Sequence, residues 1–312
     1  MPGGCDVLTV APALFGLFAA VGFGSADFFA KLCSNKIGYF RTAFSMQLTG
    51  GIILLALTFQ DLVVLQIYMV ETVLVLGLGI MNMVGTLGLY KGFEIGRVSI
   101  VSPIASSFPA LSTVLAVLVL HESLSATSTL GILTTLAGVV LVSMKTEERG
   151  AVRLGADPSP RGGFGVEPRL AVGALYAFVP FVAYGFTFFA LKLAVVNLGP
   201  FLPVLLFRWT SALILGFALL EIRPANTSGA ASPTFRPLYL ILLIAVLDTF
   251  GNVAYNSGII FGEVSIVSTI QSIFAVVTIL LSLAFLKDKI TQRQLLGIGC
   301  VVAGVAVLGL SS

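Results

Sequence analysis

Asp248, Asn252 and Asn256 stand four residues apart inside an otherwise apolar run. At helical spacing all three fall on one stripe. A carboxylate at the centre of a membrane costs about 2.5–3.5 kcal/mol on insertion scales, so it needs a cavity or a partner. Asn82, Thr86 and Tyr90 repeat the spacing in a second apolar run, with Asn82 in the place of Asp248. Two such stripes facing each other would line a site for a solute or a coupling proton. The plain alternative is helix–helix hydrogen bonding, with Asp248 bonded to Asn82.

Arg208 is the second charged group deep in an apolar run. Arginine keeps its charge when buried. It therefore holds an anion such as a solute carboxylate, pairs with Asp248, or reaches the interface. Gln271 sits beside a small polar edge, Ser268 and Ser272, which Ser102 and Ser106 repeat. As the larger group it is the better solute ligand of that edge. Tyr184 belongs to a stripe with Tyr176, Pro180 and Phe188, readable as core packing or as a wall for an apolar or cationic solute. Asp27 and Lys31, at i and i+4, read as a gate or as an intrahelical ion pair.

The elements that must position these residues follow from composition. Of 312 residues, 57% are hydrophobic and 10% charged. Soluble domains carry about 25% charge. The charges are too sparse to coat a water-facing surface, so the class is an integral membrane protein. The apolar runs are continuous rather than alternating, which selects helices over a barrel. The runs place ten transmembrane helices, and the fold class is all-α. A single histidine and cysteines without paired spacing supply no metal site, cofactor site or nucleophile–base set, so no enzyme is expected. The net charge of +3 reflects loop bases and gives no nucleic-acid surface.

The ten runs divide into two like halves, 11–144 and 170–311, joined by a linker at 145–169 rich in Gly, Pro and charge. Gly96–Met144 and Gly262–Leu310 both open with G-x-VSIVS and carry LGI and AGV further on. Gly85, Gly92 and Gly96 match Gly251, Gly258 and Gly262; Gly24 and Lys31 match Gly185 and Lys192. Loop charges reverse between the copies, Arg97 answering Glu263. Five spans is an odd number, so the second half enters the membrane inverted, and a shared cavity is expected between the halves. All lysines and arginines except Lys192 and Arg208 gather at one face. The positive-inside rule makes that face cytoplasmic, with the 146–169 loop inside and both termini outside a cell membrane. Gly131, Gly138, Gly297 and Gly304 give smooth faces for helix packing, with a homodimer contact as the other use.

With these features the chain resembles the drug/metabolite transporter superfamily in its ten-helix EamA-type form. The resemblance rests on the two five-helix repeats, on Phe40-Arg41 and Phe207-Arg208, and on the acid turns Leu120–Leu124 and Leu286–Ile290. This chain has His121 and Lys287 where such transporters often carry glycine before the acid. The resemblance implies a secondary active carrier of a small solute: an amino acid, metabolite or drug-like compound, often exported. Its partners are that solute and membrane lipid. A channel and a non-transporting scaffold are the competing readings.

Overall fold

The computed structural model describes residues 6–95, 104–143, 168–221, 237–286 and 291–311. Every regular element among them is helical. The first half contains α1 (Asp6–Ile37), α2 (Tyr39–Thr58), α3 (Val63–Ile67), α4 (Met69–Ile95), α5 (Phe108–Val119) and α6 (Ala126–Ser143). The second contains α7 (Pro168–Ala190), α8 (Lys192–Leu198), α9 (Leu202–Glu221), α10 (Pro237–Phe261), α11 (Val264–Gln271), α12 (Phe274–Leu281) and α13 (Gln292–Ser311). The linker lies outside the described residues except for Pro168 and Arg169, which open α7. Residues 96–103 and 287–290 also lie outside them, and with them Ser102, Arg97, Lys287 and Asp288.

Among the described residues, six segments are long and apolar enough to cross a membrane: Ala11–Ser34, Phe40–Ile67, Met69–Leu89, Leu202–Leu220, Leu238–Phe261 and Val264–Phe285. A seventh is the pair Leu175–Ala190 and Lys192–Leu198, bent by 40°. Ile104–Val119, Ala126–Val142 and Gln292–Leu308 are shorter apolar helices. Their outward faces carry large apolar side chains such as Leu57, Val70, Leu213, Leu220 and Leu133, while Arg208, Thr187, Gln271 and Ser268 are buried. That arrangement suits a lipid surround, where backbone polar groups are satisfied inside helices and polar side chains turn inward.

Helix pairing follows the repeat. α1 packs along α10, and its repeat-mate α7 packs along α4, the mate of α10. α2 packs on its own mate α9, and α6 on its own mate α13. The glycines set these approaches and their direction. A Cβ at Gly24 would lie 2.6 Å from that of Val277; one at Gly185, the mate of Gly24, would lie 2.8 Å from that of Leu111, which matches Val277. Gly131 faces Leu308, whereas Gly138 faces Gly297 and Val301, so α6 and α13 run antiparallel. Gly50 faces Arg208 while Gly216 faces Phe44, so α2 and α9 do too. Repeat-mates that touch therefore run in opposite directions.

The four glycines of α6 and α13 are thus occupied by each other. A Cβ at Gly138 would sit 2.7 Å from the Gly297 carbonyl oxygen, and one at Gly297 would sit 2.8 Å from that of Gly138. Backbone is not a compliant neighbour. Gly138→Leu is expected to force α6 and α13 apart and cost about 1–3 kcal/mol. Thermal unfolding of the detergent-solubilised variant measures it; an unchanged midpoint would show that the contact is dispensable.

Candidate functional site

The fourth run of each half is broken, and the breaks correspond. In the first, a turn at Ser107 separates Ile104–Ser106 from α5; in the second, Ser272 and Ile273 separate α11 from α12. Pro109 at the start of α5 contributes to the first break by lacking a backbone donor. At the second, Ser272 donates its hydroxyl to the Thr269 carbonyl at 2.5 Å, and the backbone tightens to three-residue steps. The breaks carry Phe108 and Phe274, whose ring centroids are 6.2 Å apart, and beside them Ala105 and Gln271.

These four residues form part of a cavity of about 470 Å³. From α1 it takes Phe23, Asp27 and Lys31, one turn apart, and then Ser34. From the other helices come Gln47, Asn82, Thr86, Tyr184, Phe188, Arg208, Asp248 and Asn252. Lys31 and Asp27 are exposed, Asp27 within the cavity, so the mouth lies at the C-terminal end of α1.

Arg208 is the most constrained group. It is 1% exposed. Its Nη2 donates to Asp248 Oδ2 at 2.7 Å and to Thr249 Oγ1 at 2.8 Å, and its Nη1 donates to Gln47 Oε1 at 2.8 Å. Asn252 Nδ2 donates to the same Asp248 oxygen at 3.1 Å. The guanidinium fits only because α2 has a glycine there: a Cβ at Gly50 would lie 2.6 Å from Arg208 Nε. Of the three readings of Arg208, the structure contains the ion pair with Asp248.

The residues singled out by sequence separate as follows. Asp248, Asn252, Asn82, Arg208, Gln271, Tyr184, Asp27 and Lys31 all line the one cavity. Asn256 does not. It is buried, and its Nδ2 donates to the Pro200 carbonyl at 2.9 Å, tying α10 to the turn before α9. The helical stripe drifts by about 80° over eight residues at about 100° per residue, which turns its last member to a neighbouring helix. The side chain of Tyr90 lies outside the described residues. Asp27 and Lys31 make no ion pair with each other; both face the cavity instead. Tyr184 shares a hydrogen bond of 2.9 Å with Thr86, and its ring meets Phe108 edge-on at 5.6 Å. Gln47, Phe23 and Gly50 were missed. Gln47 was detectable as a lone amide in an apolar run, but nothing in the sequence pairs Gly50 with an arginine 158 positions on.

The opposite end of the molecule is tied shut. Gly258 packs on Phe15 and Gly262 on Pro12, so the C-terminal end of α10 lies at the N-terminal end of α1, away from the cavity mouth. There Lys192, at the α7–α8 bend, donates to the carbonyls of Ile259 and, at 2.9 Å, Gly262. Glu122 accepts from the backbone N–H groups of Val264 at 2.7 Å and Ser265 at 3.0 Å, capping α11. Glu263 stands beside both. Burial, then the charge of Glu122, pushes its carboxyl above the usual range, against the pull of Lys192. His121 holds a left-handed backbone, φ 55°, which explains why glycine suits that position. Beneath this end, Tyr255 donates to the Phe188 carbonyl at 2.9 Å and bonds Ser268 at 2.8 Å, filling the space above the cavity's aromatic rings.

A family model for EamA-like transporters matches residues 11–144 and 171–310. The chain belongs to the EamA-like transporter family. It is accordingly a multi-pass membrane protein of a family of non-enzymatic transporters of small solutes. A stretch of 138 residues is 30% identical to an uncharacterized protein of Methanocaldococcus jannaschii, spanning 42% of this chain and 95% of that protein. A solved crystal structure shares the fold with a TM-score of 0.73 over 96% of each chain, at 18% identity.

Proposed function

We propose that this EamA-family protein is a secondary active carrier that moves a small solute by alternating access between two inverted five-helix halves. Counting the bent pair as one span and the three shorter apolar helices as spans gives ten, five to each half. The antiparallel course of the touching repeat-mates supports inversion. The archaeal relative, about as long as one half, supports an origin by duplication. The observation that carries the reading is the cavity itself. It is largely apolar with four charged side chains in its wall, draws its lining from both halves, reaches Lys31 at one end and includes neither Lys192 nor Glu122 of the tied end. A continuous pore, as a channel needs, is at odds with that closed end. On the positive-inside reading the mouth faces the cytoplasm and the tied end faces outside, which suits export. Asp248 is a poor coupling group, because its charge is already balanced by Arg208. The acid left to exchange protons or cations is Asp27.

Counterflow in proteoliposomes tests the reading. Vesicles preloaded with a binding solute should take up labelled solute transiently against its gradient. Flux that never saturates and never overshoots would mark a channel, and no flux for any binding solute would mark a scaffold.

A further inference from the structure

We infer that the cavity takes an organic cation with an apolar body, and that Asp27 holds its ammonium group. The inference rests on the reading of the cavity as the solute site and names the class of solute. Four charged residues face the cavity: Asp27, Lys31, Arg208 and Asp248. Arg208 and Asp248 neutralise each other at 2.7 Å. Three of the five N–H donors of Arg208 are engaged, its charge is balanced by Asp248, and Nε lies against Gly50 of α2, so at most one Nη1 N–H is left over for a solute. Lys31 stands exposed at the mouth. Asp27 remains. It makes no hydrogen bond or ion pair among the described residues, and the like charge of Asp248 acts on it across the cavity. Lys31 and Arg208 match Asp27 and Asp248 in number, but Arg208 is spent on Asp248 and Lys31 makes no ion pair with Asp27, so the Asp27 carboxylate is the negative group left to meet a cation.

A second, separate observation points the same way. Gln271 is 1% exposed, lines the cavity, and leaves its Oε1 without a partner. That amide oxygen beside the cavity is an acceptor, which only an N–H or O–H donor would satisfy. The rest of the wall suits an apolar body. Phe23, Phe108, Phe188, Phe207 and Phe274 are all in it, and aromatic faces attract cations. A volume of about 470 Å³ accommodates an arylalkyl amine with room to spare.

The test uses the purified full-length chain and three probes that share one ring: phenethylamine, phenylacetate and phenylalanine. Isothermal titration should show saturable binding of the amine and none of the carboxylate or the zwitterion. Asp27→Asn should weaken the amine by about thirtyfold or more, as removing one partner of a desolvated charge pair does, and Asp27→Glu should retain most of the affinity. Binding of phenylacetate or phenylalanine in preference to the amine overturns the inference. So does failure of the amine to bind, or undiminished amine binding by Asp27→Asn. Should Asp27→Asn not fold, the wild-type probe series and Asp27→Glu decide. The carrier reading fails separately: amine binding without counterflow sinks transport and leaves Asp27 in its role, whereas counterflow of an anion with no amine binding does the reverse.

Discussion

Asp248→Asn lowers the unfolding free energy by about 3–5 kcal/mol, and more than Arg208→Met does, although both variants break the same ion pair. The asymmetry comes from burial. The Arg208 side chain is 2% exposed and that of Asp248 21%. Removing the carboxylate charge strands a guanidinium that cannot shed its proton, with only the neutral oxygens of Gln47, Thr249 and the new amide to meet it. Removing the guanidinium leaves a carboxylate that still accepts from Asn252 and faces a water-accessible cavity. Met keeps most of the arginine stem against Gly50, so little packing is lost. The double variant Arg208→Met/Asp248→Asn should recover most of the loss, because no uncompensated charge remains. Denaturant or thermal unfolding of all four proteins in one detergent measures the cycle. Equal costs for the two single variants, or additive costs in the double, would mean that the pair is not the buried unit described.

Much of this is legible in the sequence, for reasons that differ by residue. Asp248, Arg208 and Gln271 announce themselves because polar groups in apolar runs are rare and must face something. The repeat was legible because both copies kept the glycines that their helix contacts require: Gly24 and Gly185 meet matching side chains, Val277 and Leu111. What the pattern could not give was the partner. Arg208 had several open uses, and the choice was made by Gly50, whose lack of a side chain admits the guanidinium. Asp27 and Lys31 looked like an ion pair because their spacing permits one, yet both project into the same cavity, where water or a solute competes. Asn256 fits the Asp248 stripe on a helical wheel but bonds the Pro200 carbonyl, since a backbone acceptor on the neighbouring turn lies within its reach. The acid turn around Glu122 was visible as a motif; its role was not, because the amides that it caps belong to the other half.

Glu122→Gln should open the tied end and slow counterflow at least about tenfold, and Lys192→Met should do the same. Glu122 holds two amides of α11 with one carboxylate, and hydrogen bonds to a charged group are worth about 1.5–3 kcal/mol each. Glutamine keeps one acceptor and loses the charge that favours a helix N-terminus. Lys192 holds the last turn of α10 through two carbonyls, and methionine keeps its stem while giving up both bonds. A carrier needs its two closed states to be near in energy, so that neither is a trap. Loss of about 1.5–3 kcal/mol from one of them moves the equilibrium by roughly ten- to 150-fold, and the solute then waits on the rarer state. The movement is measurable apart from transport. Ser112, buried behind these ties and 3.2 Å from Ser268, can be replaced by cysteine in a chain whose own cysteines are removed. An impermeant maleimide should label Ser112→Cys slowly in the otherwise native chain and at least about tenfold faster with Glu122→Gln or Lys192→Met added. If labelling and counterflow both stay at native rates in two folded variants, the ties hold helices together without gating them, and the closed end needs another cause.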